Sequence, residues 1–211
     1  SFLLPVAVLP AACILKGIGS AFTNSSTIEM HPWMANQTLQ IIMGFITMIG
    51  SVAFDNLPVI FAVGVVVGLA KQEKGSAALS GLLGFLVLHN TLHYLLSVSG
   101  QLVDKAAKNG EELMSLHMQT NVLGIQTMDL NVFGGIITGI VVYLVHKKAI
   151  KMQVPQVFGF FSGPRLVPIL TIPAMALVAL GFFFIWPYVQ VGITALSFAI
   201  LKSGYFGTFA Y

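Results

Sequence analysis

Asp55, His89, His93, Asp129, Arg165 and Lys202 are ionisable residues inside or beside long apolar stretches, Asn56 follows Asp55, and Gln126 stands three residues before Asp129. An ionisable group held in an apolar surrounding is costly and is therefore a candidate for function. The carboxylates of Asp55 and Asp129 can accept hydrogen bonds from the hydroxyls of a polar substrate. Each also stands where a helix could start, and helix capping is the favoured role. His89 and His93 are spaced i, i+4, so one helix face could present both imidazoles as a metal pair would. No third ligand lies nearby, which favours interhelical hydrogen bonding or the lining of a wet cavity; no metal or other cofactor is expected. Arg165 is the only arginine and follows Phe160-Phe161-Ser162-Gly163-Pro164. Its planar fork of donors suits phosphate or carboxylate oxygens, against the plainer role of a charge anchoring a helix end. Phosphate-loop and nucleophile-elbow patterns are missing, and so is a nucleophile–base pair, which speaks against direct ATP coupling and against an intramembrane hydrolase. The lone Cys13 can form no internal disulfide and is read as a small buried hydrophobe.

The elements that must position these residues are membrane helices. Of the 211 residues, 56% are hydrophobic and 8% charged, against roughly 25% charged in ordinary globular domains, and mean hydropathy is +0.90. So few charges cannot cover so much apolar surface in water, and the fold class is an all-α, polytopic integral membrane protein. The positive residues gather at helix ends, as topology signals do, which argues against nucleic acid as a partner.

Taken in order, Phe2–Phe22 is a first span, since about 20 residues at 1.5 Å each cross a ~30 Å hydrocarbon layer. Lys16 within it is read as snorkelling to the interface. Thr23–Asn36 is a loop or short surface helix with an interfacial Trp33. Gln37–Ala70 is too long for one upright helix, yet Val59–Ala70 alone would reach only ~18 Å. It is read as one crossing, broken or tilted at Asp55-Asn56-Leu57-Pro58, with Asp55 and Asn56 capping the restart. Ser76–Val98 spans next. Ser99–Thr120 forms an outward loop with an amphipathic surface helix, and a polar turn at Gln126–Asp129 leads into the span Val132–Val145. After a loop at His146–Pro168, Val167–Pro187 spans and ends at an interfacial Trp186 and Tyr188. Gly192–Tyr211 begins a sixth span, broken or not fully lipid-facing around Lys202. Both chain ends look like cuts rather than natural termini. Gly64-x-x-x-Gly68 and Gly135-x-x-x-Gly139 have the spacing of close helix contacts.

Charge orients the bundle. The Lys71–Lys74 turn and the Lys147–Arg165 loop carry six cations against Glu73 alone, whereas the opposite side holds Glu29, Asp104, Glu111, Glu112 and Asp129 against Lys105 and Lys108. The basic side is therefore read as cytoplasmic, and Ser1 with it.

Several strings carry a family likeness: Gly124-Ile125-Gln126-Thr127-x-Asp129, Val132-Phe133-Gly134-Gly135-Ile136-Ile137, Phe160-Phe161-Ser162-Gly163-x-Arg165-x-Val167-Pro168, Leu4-Pro5 with Val8-Leu9-Pro10-Ala11-Ala12, and Asn56-Leu57-Pro58-Val59-Ile60-Phe61-Ala62-Val63-Gly64. Together they resemble the membrane-embedded sugar-permease domain, enzyme IIC, of the bacterial phosphotransferase system, in the glucose superfamily on its maltose and α-glucoside branch. The resemblance implies a homodimeric carrier in the bacterial inner membrane that binds sugar from outside. A IIB domain bearing a phosphocysteine, fed by EIIA and HPr, would phosphorylate that sugar inside. A secondary transporter or channel would share the helices but not these strings. The resemblance further implies that this chain is the scaffold half. The Gly-Ile-Thr-Glu and Gly-Leu-His-His stretches of the family's sugar-binding half do not occur in it, so catalytic residues are not expected here. Asp55, Asn56, His89, His93, Gln126 and Asp129 stay as candidate sugar contacts, and Arg165 as a coupling residue. Two departures stand out: Pro164 where the family has a second basic residue, and Asp129-Leu130-Asn131 where it has Asp-Thr-Gly.

Overall fold

The structure is a computed structural model that describes residues 3–104, 110–152, 155, 159, 160 and 162–202. Lys105, Lys108, Phe158, Phe161 and the segment through Tyr211 lie outside the described residues, as do the side chains of Glu111, Glu112 and Lys202. The elements are α1 (Leu3–Thr23), α2 (Ser25–Met30), α3 (Gln37–Asp55), α4 (Leu57–Leu69), α5 (Lys74–Val98), α6 (Gly110–Leu116), β1 (Gln119–Val122), β2 (Ile125–Met128), α7 (Asn131–Ala149) and α8 (Leu166–Lys202). Among the described residues four helices are long and apolar enough to cross a membrane, namely α3, α5, α7 and α8, and shorter apolar helices run over Leu9–Thr23 and Leu57–Leu69.

The break read within Gln37–Ala70 is present, and the difference from the expected spans lies after Val167. The 37–70 stretch is two helices broken at Asn56, whose backbone (φ −108°, ψ 13°) leaves the helical region just ahead of Pro58. The expected caps are reversed. Asn56 Nδ2 donates back to the Val52 carbonyl at 2.8 Å, closing the end of α3, and α4 starts without a side-chain cap. Asp55 is the last residue of α3, exposed at the carbonyl-rich end where it can cap no start. The expected spans Val167–Pro187 and Gly192–Tyr211 are one helix as far as Lys202, and the rest of the second lies outside the described residues. α8 runs through Pro173 and Pro187 without stopping, because an apolar bundle offers the freed carbonyls no competing water and the helix continues past them. The helix therefore does not end at Trp186, whose side chain is buried, whereas Tyr188 is exposed.

α1 and α3 form an antiparallel pair. A Cβ added to Gly50 would lie 2.8 Å from Lys16 Cα, so the two backbones touch there. Lys16 Nζ sits 5.2 Å from the centroid of the Phe54 ring. α3 is otherwise almost unburied within the chain, with Ile41, Ile42, Phe45, Met48 and Val52 exposed. Cys13 is exposed as well, contrary to its expected burial. α1 turns Ala12 toward its neighbour, and the next residue is rotated by about 100°.

α4, α5, α7 and α8 make the packed bundle. Phe85, Leu88, Leu92, Val142 and Met175 are fully buried between them. α4 and α7 run parallel at backbone contact: a Cβ on Gly135 would overlap the Pro58 carbonyl oxygen, and one on Gly139 would lie 2.7 Å from Val65 Cγ1. The Gly135-x-x-x-Gly139 spacing thus serves packing within the chain.

The two cationic segments share one end of this bundle, as the charge argument requires. Ser76 Oγ donates to the Pro164 carbonyl at 2.7 Å, and His146 Nε2 lies 3.4 Å from the Glu73 carbonyl. The opposite end carries a feature absent from the sequence expectations, a two-stranded antiparallel hairpin with Gln119 paired to Met128 and Val122 to Ile125. Its two-residue turn places Leu123 (φ 50°) and Gly124 (φ 84°) in the left-handed region, which a type I′ turn demands and glycine accommodates.

Candidate functional site

The hairpin draws the polar candidates together. α5 is unbroken through His89 and His93, so the i, i+4 spacing does put both rings on one face, and that face meets β2. His89 Nδ1 lies 3.2 Å from Thr127 Oγ1, and His93 Nδ1 lies 2.8 Å from the Gln126 carbonyl. His89 is fully buried, edge-on to Phe85 with centroids 4.4 Å apart, and its Nε2 has no protein partner among the described residues. The two imidazoles therefore pair with a strand. Among the described residues no three His, Cys, Asp or Glu converge as metal ligands.

Gln126 anchors the hairpin to the loop after α5. Its Nε2 donates to the Val103 carbonyl at 2.8 Å and to Gln119 Oε1 at 2.9 Å. Gln119 answers from the paired strand: its Nε2 donates to the Gln101 carbonyl at 2.7 Å, while its Oε1 also accepts from Val103 N–H at 3.3 Å. Both amides are buried, so these bonds replace water that they could not otherwise reach.

Asp129 closes the hairpin onto the bundle. Its Oδ1 accepts from Asn131 N–H at 3.1 Å, a cap on the first turn of α7 that offsets the left-handed backbone of Asn131 (φ 48°). Its backbone carbonyl accepts from Trp186 Nε1 at 2.9 Å and from Gln190 Nε2 at 3.1 Å. The indole and the amide of α8 thereby hold the hairpin from the far side. Two clefts flank this arrangement. One, of about 620 Å³, lies between the ends of α5, α6 and α8 beside Leu96, Gln101, Leu113 and Gln190. The other, of about 450 Å³, is lined by Asp129, Phe133, Trp186 and Thr194. Such a cleft offers a carboxylate and a hydroxyl beside aromatic faces, the mixture that binds a polyhydroxylated ring.

Four of the seven candidates, His89, His93, Gln126 and Asp129, are thus brought to one place. Asn56 and Asp55 stand apart. Pro58 packs at the first turns of α7, but the Asn56 amide bonds back into α3. Arg165 is at the other end of the bundle, where its Nη1 donates to the Phe160 carbonyl at 3.2 Å and its Cζ lies 4.6 Å from the Phe160 ring centroid. Gln119, Trp186 and Gln190 join the site without having been singled out by sequence. Gln119 sat in a polar stretch and Trp186 had the look of an interfacial residue. The one available signal was a glycine-ended two-residue turn between strand-forming runs.

The family profile described as "Phosphotransferase system, EIIC" matches residues 1–211. The chain is 35% identical over 209 residues to the PTS system maltose-specific EIICB component of Escherichia coli (strain K12), an alignment that covers 98% of this chain and 38% of that protein. The chain therefore spans well under half of this relative. With the match running from end to end over a bundle of apolar helices, the chain belongs to the phosphotransferase system EIIC family.

Proposed function

We propose that this chain is the scaffold part of a membrane permease that imports maltose, another α-glucoside or glucose and delivers it for phosphorylation from a phosphocysteine on a IIB domain, itself supplied through EIIA and HPr. The observation that carries this reading is the identity to a maltose-specific EIICB protein across nearly the whole chain. On its own this chain supplies binding and orientation; the phosphoryl group, with loss of the P–S bond and gain of a P–O bond to the sugar, comes from the IIB cysteine. In this reading the basic end faces the cytoplasm of a bacterium, with the N-terminus on that side, and the hairpin faces out. The exposed apolar face of α3 supports a homodimer. His89, His93 and Gln126 act by holding the hairpin in place, and Asp129 meets sugar hydroxyls in the 450 Å³ cleft.

Vesicles carrying the full-length permease test the reaction: maltose uptake should require phosphoenolpyruvate and the phosphotransfer proteins and yield the sugar phosphate. Uptake that follows a proton or sodium gradient instead would overturn it. In a Cys13→Ala background, a cysteine at Lys148 should label only from the inside and one at Asn121 only from the outside. The reverse pattern would overturn the topology.

A further inference from the structure

The basic end of the bundle holds a groove that neither the sugar reading nor the family match uses. It arises because α4 and α7 are parallel and in backbone contact, so their ends finish at the same level. The chain leaves α4 into the Lys71–Lys74 turn, and the buried His146 ring against the Glu73 carbonyl holds that turn beside the end of α7. Between them lies a groove of about 330 Å³ lined by Lys71, Gln72, Tyr143, His146, Lys147 and Lys151 among others. Lys147 and Lys151 also border a second hollow on the outer side of α7, of about 540 Å³, with Leu144, Lys148 and Met152. On the same α7 face, one and two turns deeper, Leu144 and Ile140 are exposed. Lys147 and Lys151 thus join the groove that also holds Lys71 to the hollow beside Leu144, at the head of an apolar track. Glu73, the acid of the turn, offers His146 its backbone carbonyl and is itself exposed.

From this geometry we infer that the groove between the Lys71 turn and the end of α7 is a binding site for the phosphate headgroup of an anionic membrane lipid, with its acyl chains along Leu144 and Ile140. Cations at a helix end suit the helix dipole and topology wherever they stand. A concave site with lysines from two segments, a tyrosine and an amide, opening onto exposed apolar side chains, fits a ligand that is anionic at one end and apolar at the other. Basic pockets between spanning helices bind phosphate headgroups in this way. The inference is independent of which sugar the permease carries.

The test uses the purified full-length permease in nanodiscs of phosphatidylcholine doped with phosphatidylglycerol or cardiolipin, followed by native mass spectrometry of the retained lipid. The wild type should retain the anionic lipid. Each lysine near an anionic headgroup contributes roughly fivefold, so K71Q/K147Q/K151Q should lower retention by at least about tenfold, while Lys16→Gln on the remote α1 should leave it unchanged. An unaltered elution profile and melting temperature would show the triple variant folded; if it unfolds, the single variant Lys71→Gln, with a loss of about threefold or more, carries the test. Equal retention by variant and wild type overturns the proposal. So does displacement of the lipid by millimolar inorganic phosphate or glycerol phosphate, which would mark a site for soluble phosphate or a phosphorylated protein.

Discussion

Gly135→Ala tests the packing that brings the whole bundle into register. In a free helix the change would stabilise by about 1 kcal/mol, because alanine loses less backbone entropy than glycine. Here the new Cβ would overlap the Pro58 carbonyl oxygen and lie 2.9 Å from its carbon, and backbone atoms cannot rotate away. The helices must separate, and overpacking of this kind costs about 1–3 kcal/mol. A contact with backbone belongs at the top of that range, so the net loss is about 2 kcal/mol. Gly181 in α8 gives the control, since a Cβ there meets nothing within 4 Å. Thermal unfolding of the full-length permease in detergent, read by fluorescence-detected gel filtration, should show Gly135→Ala melting several degrees below wild type and Gly181→Ala at or above it. Equal melting of the two variants would refute the close α4–α7 contact.

Gln126→Leu removes two buried donors and leaves the Val103 carbonyl unpaired, so it should destabilise by about 1–3 kcal/mol and open the hairpin to limited proteolysis; an unchanged digestion pattern counts against the anchor. Trp186→Phe deletes one bond to the Asp129 carbonyl, which Gln190 still serves, and should cost no more than about 1.5 kcal/mol in the same melting assay. Arg165→Lys keeps the charge over the Phe160 ring and loses the fork; coupled sugar phosphorylation should stay within roughly fivefold of wild type, and a loss of tenfold or more would point to a bidentate phosphate contact. Asp129→Asn keeps an acceptor for the Asn131 N–H but loses the bond from Asn131 Nδ2 and the charge facing the cleft, so sugar KM should rise by about tenfold, as for a charge-assisted bond, while stability falls by no more than about 1.5 kcal/mol; an unaltered KM would remove Asp129 from the sugar path.

Membrane residence, the break near Pro58 and the shared side of the two basic loops were legible in the sequence because each rests on a local property. Hydropathy is a sum over a window, proline removes one specific N–H, and lysines at helix ends stay where the chain puts them. The spacing of His89 and His93 likewise decided that they share a helix face. What they face was a tertiary matter. Hairpin residues 119–128 form strands only because Gln126 and Gln119 find the carbonyls of the loop after α5 and the bundle's end supplies His93 and Trp186 from α5 and α8. The same holds for Pro187, which ends a helix in water and is carried through in α8, and for Gly135 and Gly139, whose spacing cannot say whether the facing backbone belongs to another copy or to α4. Asn56 offers an amide to either helix it separates, and only the bend between them turns it toward Val52. A local pattern states what a residue can donate, accept or approach, and the partner is chosen by contacts between segments far apart in the chain.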